Sequence, residues 1–260
     1  LSLHYYTVPG WSGSKGSATK FTKDQYYWTI GKCREIEDVL KKHIAIMDEK
    51  DPRGRVALLL DEWGTWWDEE PGTVKGHLFQ QNSMRDAIVA STSLDIFHKY
   101  TKRLKMANIA QIVNVLQSMI LTKDDKMVLT PTYYVFKQYN VHQDATYLPV
   151  DIECEEMEMK GKNRHFDAKL PLVSATASKD KQGKVHVSLT NVSVDKAQTV
   201  KVNIEGISAK KAAGVILTTP NIDELNTFEN PDNVKEAPFK EVNVKNGAME
   251  VKLPKNSIVT

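Results

Sequence analysis

Among the acidic side chains of this 260-residue sequence, Glu62 stands where a carboxylate can do chemistry. It closes the apolar run Val56-Ala57-Leu58-Leu59-Leu60-Asp61-Glu62 and is followed by Trp63, Trp66 and Trp67. Indole faces stack on the apolar C–H faces of sugars, and a carboxylate beside an anomeric carbon attacks it or protonates the departing oxygen. The combination points to a saccharide site. The competing reading is an acid that ends a strand and caps the next helix. In extended backbone, neighbours face opposite sides, so Asp61 is expected to be a structural partner. His4 and Tyr6 share parity in an earlier run and can face one side together. For His4 the alternative is a buried ring satisfied by a backbone carbonyl.

Other chemistries find little support. The 7 histidines are scattered without an H-x-x-x-H spacing, so no metal is expected, and no cofactor motif appears. Gly10 to Gly16 lacks the glycine spacing of a phosphate-cradling loop. Lys+Arg 35 against Asp+Glu 33 leaves a formal charge of +2 without long runs, which implies neither a nucleic-acid nor a membrane partner. No apolar run approaches the roughly 18 to 20 residues of a membrane span. Cys33 and Cys154 form no CxxC pair and are expected to be free thiols. Asn191-Val192-Ser193 fits a glycosylation acceptor, but such triplets recur by chance.

The elements that would position Glu62 alternate. Leu1 to Tyr6 reads as a buried strand already under way, so the sequence is expected to open inside a domain. Pro9 to Thr19 is a glycine- and serine-rich loop, of a length that often carries function. Tyr26, Ile30, Cys33, Ile36, Leu40, Ile44 and Met47 recur at helical spacing, and Asp51-Pro52-Arg53-Gly54 ends that helix. Val56 to Glu62 reads as a parallel strand buried on both faces. Residues 77 to 104 predict another helix, and Ala110 to Leu116 another strand. Thr130 and Pro131 would cap and open a last helix. Strand–helix alternation argues for an α/β domain with a parallel sheet, and polar groups at the strand ends favour a barrel with its site at the C-terminal face.

From about Thr146 the periodicity shortens to two: Val185/Val187/Leu189, Val200/Val202/Ile204, Val242/Val244 and Met249/Val251/Leu253 alternate with polar residues. Lys181 to Lys184 and Asn230 to Asn233 supply turns. The expected organisation is a barrel portion over 1–145 and an antiparallel β-sandwich over 146–260.

Six segments, L-S-L-H-Y-Y-T, L-L-L-D-E-W-G-T-W-W, H-L-F-Q-Q-N-S-M-R-D-A-I-V-A, N-I-A-Q-I-V-N-V-L-Q-S-M-I, L-T-P-T-Y-Y-V-F-K-Q-Y-N-V-H-Q-D-A and L-N-T-F-E-N-P-D-N-V, resemble in order the C-terminal portion of glycoside hydrolase family 51 α-L-arabinofuranosidases. The resemblance implies a (β/α)8 barrel followed by a β-sandwich, with Leu1 to Tyr6 as strand six, Val56 to Glu62 as strand seven and Ala107 to Val115 as strand eight. It implies that Glu62 is the catalytic nucleophile, that Tyr6 donates a hydrogen bond to it, and that His4, Trp66 and Gln111 bind the arabinofuranosyl unit.

One departure is sharp. The family's acid/base is a glutamate following an asparagine at the end of strand four, and no Asn-Glu dipeptide occurs in this sequence. A retaining mechanism needs two carboxyl groups about 5 to 5.5 Å apart, and this chain is expected to supply one of them. The resemblance thus implies an arabinofuranosidase fragment, inactive alone, that associates with itself or with a missing N-terminal half. The alternatives are another retaining barrel glycosidase, acting on xylan or β-glucan, and a non-catalytic carbohydrate-binding fragment.

Overall fold

In the computed structural model, which describes residues 1–159 and 169–260, the chain begins with three parallel strands in spatial order. They are β1 (Ser2–Thr7), β2 (Leu58–Thr65) and β3 (Leu104–Ile109), with β2 in the centre. β1 reaches β2 through α1 (Lys23–Arg34) and α2 (Ile36–Lys50), and β2 reaches β3 through α3 (Met84–Lys99). Parallel strands joined through helices are the repeating unit of a (β/α)8 barrel. The core lies between strands and helices, where Leu58, Leu60 and Trp63 pack with Tyr26, Ile30, Leu40, Ile88 and Ile96.

Three expectations need correcting. The helix predicted through Met47 is two helices, because Glu35 keeps helical angles but its N–H bonds to Lys32 O at 3.2 Å, tightening the turn. The helix predicted over residues 77 to 104 starts only at Met84, where Ser83 and Asp86 form a reciprocal capping box. The strand predicted over Ala110 to Leu116 is a loop, and the strand is the preceding Leu104–Ile109, at one side of the three-stranded sheet. The loop is apolar because Ala110 and Leu116 pack against Tyr6 and Val8, while Ile112 and Val113 are exposed.

A hairpin of β4 (Ile120–Lys123) and β5 (Lys126–Leu129) leads to α4 (Pro131–Tyr139). Thr130 is the residue before that helix and Pro131 its first, as the sequence predicts. The Thr130 hydroxyl, however, donates to Ser118 O at 2.9 Å instead of capping.

β6 (Thr146–Leu148) joins the first sandwich sheet, and β7 (Glu156–Glu158) pairs with β8 (Lys169–Pro171). Then follow β9 (Val173–Lys179), β10 (Val185–Asn191), β11 (Gln198–Val202), β12 (Gly214–Thr218), β13 (Ala237–Phe239), β14 (Val242–Lys245), β15 (Ala248–Leu253) and β16 (Ser257–Val259). One sheet runs β13-β12-β16-β10-β9-β6 and the other β11-β15-β14. Their inner faces meet through Ala175, Leu189, Phe239, Val251, Leu253 and Val259, the alternation the sequence shows. The sandwich leans on α3 and α4: Ser174 Oγ donates to Asp95 at 2.6 Å, and the Tyr139 hydroxyl to the same carboxylate at 2.8 Å.

Candidate active site

β1 and β2 pair in parallel with one irregularity: Leu3 stands opposite Leu60, but His4 stands opposite Glu62. The extra residue is Asp61, which accepts a hydrogen bond from Ser2 Oγ. Asp61 is thus bonded within the sheet, as expected, but the bulge overrides the alternation that was expected to send it to the opposite side, because Ser2 shares the parity of His4 and Tyr6. Glu62 is left facing His4 and, one step along the same side, Tyr6.

The Tyr6 hydroxyl donates to Glu62 Oε2 at 2.6 Å, and His4 Nδ1 lies 3.5 Å from the same oxygen. Tyr6 is 8% exposed. Burial first, then the hydrogen bond and charge of Glu62, push its phenol well above the usual range, so it stays a donor at any working pH. The side chains of His4 and Glu62 are 51% and 41% exposed, which contradicts the buried alternative for His4. A carboxylate open to solvent on one side and held by one phenol is free to approach an electrophile.

The tryptophans divide. Trp66 meets Tyr6 edge to face at 5.1 Å and belongs to the site. Trp63 does not, being 1% exposed and packed on Phe97 and Phe136 in the core. Trp67 is also buried, with its indole N–H on Asp86 Oδ1 at 2.8 Å and the Arg85 guanidinium 3.6 Å above its ring. Gln111 lies in the exposed loop after β3, beyond Ala110, whose N–H bonds to Trp63 O at 2.9 Å. It is at the same end of the sheet as Glu62, and its backbone N–H bonds to Val115 O at 3.0 Å.

Sequence reasoning missed several neighbours. Trp11, 68% exposed, stands 5.8 Å from Trp66 and 6.3 Å from Tyr6, and Lys15 Nζ sits 5.2 Å over Trp66. Both lie on the glycine- and serine-rich loop, which was the available signal. Asp68 pins that loop by accepting from Ser14 Oγ and from the N–H groups of Lys15 and Gly16. Gln117 is fully buried against the strand end, accepting from Thr65 N at 2.8 Å. A Cβ on Gly64, whose φ is +142°, would meet Gln117 at 3.2 Å, so the close approach requires glycine.

A cavity of about 770 Å³ behind Trp67, walled by Phe21, Tyr27, Trp28 and Arg85, includes neither Glu62 nor Tyr6. Cys33 is a free thiol in the core, pushed up to about 11 by burial, and Cys154 is also free. Among the described residues no group of His, Cys, Asp and Glu is placed to hold a metal ion, and no helix is long and apolar enough to cross a membrane. Nor does any hydrogen bond join Glu62 to a second carboxylate among them. The nearby acids Glu69 and Glu70 accept backbone N–H groups of their own loop.

Residues 61–257 match the model of the alpha-L-arabinofuranosidase C-terminal domain family. The chain belongs to that family. It is 68% identical over its whole length to an intracellular exo-alpha-L-arabinofuranosidase of Bacteroides ovatus, of which it covers 50%. The crystal structure of the GH51 arabinofuranosidase from Xanthomonas axonopodis pv. citri superimposes with a TM-score of 0.93 at 46% identity, over 100% of this chain and 51% of that one. An arabinose complex of the alpha-L-arabinofuranosidase from Thermotoga maritima gives 0.76 at 25% identity, over 99% and 51%. The chain therefore corresponds to the C-terminal portion of these relatives, the end of a (β/α)8 barrel followed by a β-sandwich, and spans about half their length.

Proposed function

We propose that the protein to which this chain belongs is a retaining α-L-arabinofuranosidase that removes terminal arabinofuranosyl units from arabinose-containing saccharides, with Glu62 as its nucleophile. The observation that carries this is the 2.6 Å hydrogen bond from Tyr6 to a half-open Glu62 at the end of a central parallel strand. Glu62 attacks the anomeric carbon and forms a glycosyl ester, while Tyr6 holds the carboxylate in its attacking orientation. His4 and Trp66 flank the furanose, and Gln111 reaches its hydroxyls from the loop after β3.

The second carboxyl group protonates the leaving oxygen and then activates water. The family's Asn-Glu dipeptide, which carries that group, does not occur in this sequence, and this supports an acid/base from the other half of the longer protein. Residues 1–145 then act as the closing part of the catalytic barrel, and 146–260 as a supporting sandwich. Three strands cannot close a cylinder, and unpaired strand edges favour association, either between copies or with the missing half.

The test is release of nitrophenol from 4-nitrophenyl α-L-arabinofuranoside. The expected result is turnover by the full-length protein, none above background by residues 1–260 alone, and recovery when the missing half is added. Robust turnover by residues 1–260 alone, lost in Glu62→Gln, would show that another carboxylate of this chain is the acid/base. Preferential hydrolysis of an aryl xyloside would favour a xylan-directed enzyme.

A further inference from the structure

The ladder with β1 runs in register through Thr65, and Trp66 N–H bonds to Thr7 O at 3.4 Å, but on its other side the stretch that carries Trp66 is held by side chains. β2 and β3 lose register between Leu60 and Trp63. Beyond that point the N–H of Thr65 goes to Gln117 Oε1 and the N–H of Trp67 to Gln80 Oε1, both at 2.8 Å. Gln117 is itself fixed, donating to Asp86 O at 2.7 Å and to Thr132 Oγ1 at 3.1 Å.

Asp86 is the centre of this arrangement. Its Oδ2 completes the cap of α3, accepting from Ser83 N at 2.8 Å and Ser83 Oγ at 3.2 Å. A capping role needs nothing more. Its Oδ1 nevertheless accepts from Thr65 Oγ1 at 2.6 Å and from Trp67 Nε1 at 2.8 Å, in a fully buried position. One carboxylate oxygen thus grips the residues on both sides of Trp66 from the core. By strand alternation the residue between them is turned outward, where its ring meets Tyr6 at 5.1 Å.

We propose that Asp86 is a positioning residue that sets the sugar-facing orientation of Trp66 by holding Thr65 and Trp67. The proposal rests on the reading of Glu62 and Trp66 given above. Asp86 makes no contact with substrate in this account; it acts through the two residues it binds.

Because Asp86→Asn also disturbs the helix cap, the test removes the two donors to Oδ1 instead, in the full-length enzyme. Thr65→Val deletes one donor and keeps the side chain's shape, and Trp67→Phe deletes the other at the cost of a smaller ring. The expected result for each is a fall of about tenfold in kcat/KM on the aryl arabinofuranoside, carried by a rise in KM with kcat little changed. Thr65→Ser, which keeps the hydroxyl, should restore KM to within about twofold. Ser83→Ala touches only the capping oxygen and should lower the melting temperature with unaltered kinetics. An unchanged KM in folded Thr65→Val and Trp67→Phe would overturn the proposal. So would a rise in KM in Ser83→Ala equal to theirs, since the cap alone would then account for the effect. Absence of turnover by the unsubstituted full-length enzyme would instead overturn the reading beneath it.

Discussion

At the end of β2, Glu62 keeps a side chain 41% exposed and, among the described residues, accepts a hydrogen bond from Tyr6. At the seam between α3 and the sandwich, Asp95 is 1% exposed and His142 8%, and each is bonded twice: Asp95 to Ser174 and Tyr139, His142 to Ser178 and Ser188. Burial holds the Asp95 carboxyl up at about 7, against the pull of those hydrogen bonds, and presses His98 down to about 4 and His142 to about 3. Displaced acid–base groups often mark active sites, and that criterion alone would select the seam. Yet the seam's groups face hydroxyls of the adjoining sheet, whereas Glu62 faces open space beside aromatic rings. Displacement here records burial, and access separates the two regions.

The largest effect that sharpens this contrast is expected at the strand end. Glu62→Gln in the full-length enzyme keeps the shape and removes the nucleophile, so turnover should fall at least about 10³-fold while thermal unfolding stays put. Asp95→Asn should leave kcat/KM within about threefold, because it touches only the seam. Comparable losses in both would erase the distinction.

The seam should instead govern acid stability. His98 and His142 are neutral in the fold and charge below about 6.5 when unfolded, so their contribution declines as pH falls from 6.5 toward 4. Asp95 opposes them: its raised value means the folded state binds a proton below about 7, adding stability as pH falls toward its unfolded value near 3.9. Near pH 5 these three groups leave the unfolded state with two extra protons and the folded state with one, so together they cost about 1.4 kcal/mol per pH unit as pH falls. Asp95→Asn removes the opposing group, and the slope should steepen by about 1.4 kcal/mol per unit. Urea unfolding at pH 6.5, 5.5 and 4.5 measures both slopes; equal slopes would mean that Asp95 does not titrate as its burial dictates.

Tyr6→Phe removes one hydrogen bond to a charged group, worth about 1.5 to 3 kcal/mol, so kcat/KM should fall roughly tenfold to a hundredfold without reaching the Glu62→Gln level. The smallest effect is expected at the bulged residue beside Glu62. Ser2→Ala frees Asp61, a surface contact, and should change stability by no more than about 0.5 kcal/mol and leave activity alone. A large loss in Ser2→Ala would show that the Ser2–Asp61 contact is coupled to Glu62.

Much of β2 was legible because its signal is local. Five apolar residues ending on an acid and an indole specify a buried parallel strand and its polar end together, and His4 and Tyr6 declare a shared side by parity. β3 was illegible because at the side of the sheet it presents only Leu104 and Ile109 as buried residues, while the neighbouring loop borrows an apolar pattern from Tyr6 and Val8. The break at Glu35 leaves no mark, since the apolar spacing continues through it. Asp86 and Gln117 were missed for a different reason. Their partners Thr65 and Trp67 are distant in sequence, and a capping motif accounts for Asp86 without any second role.

The central claim, that Glu62 forms the covalent bond to the sugar, is tested most directly by trapping that bond. A 2-deoxy-2-fluoro-arabinofuranosyl donor with a good leaving group slows hydrolysis of the glycosyl ester, and peptide mass spectrometry of the inactivated full-length enzyme locates it. The account predicts the label on Glu62, with none in Glu62→Gln. A label on any other carboxylate, or sustained turnover of natural substrate by an enzyme that cannot be labelled, would contradict it.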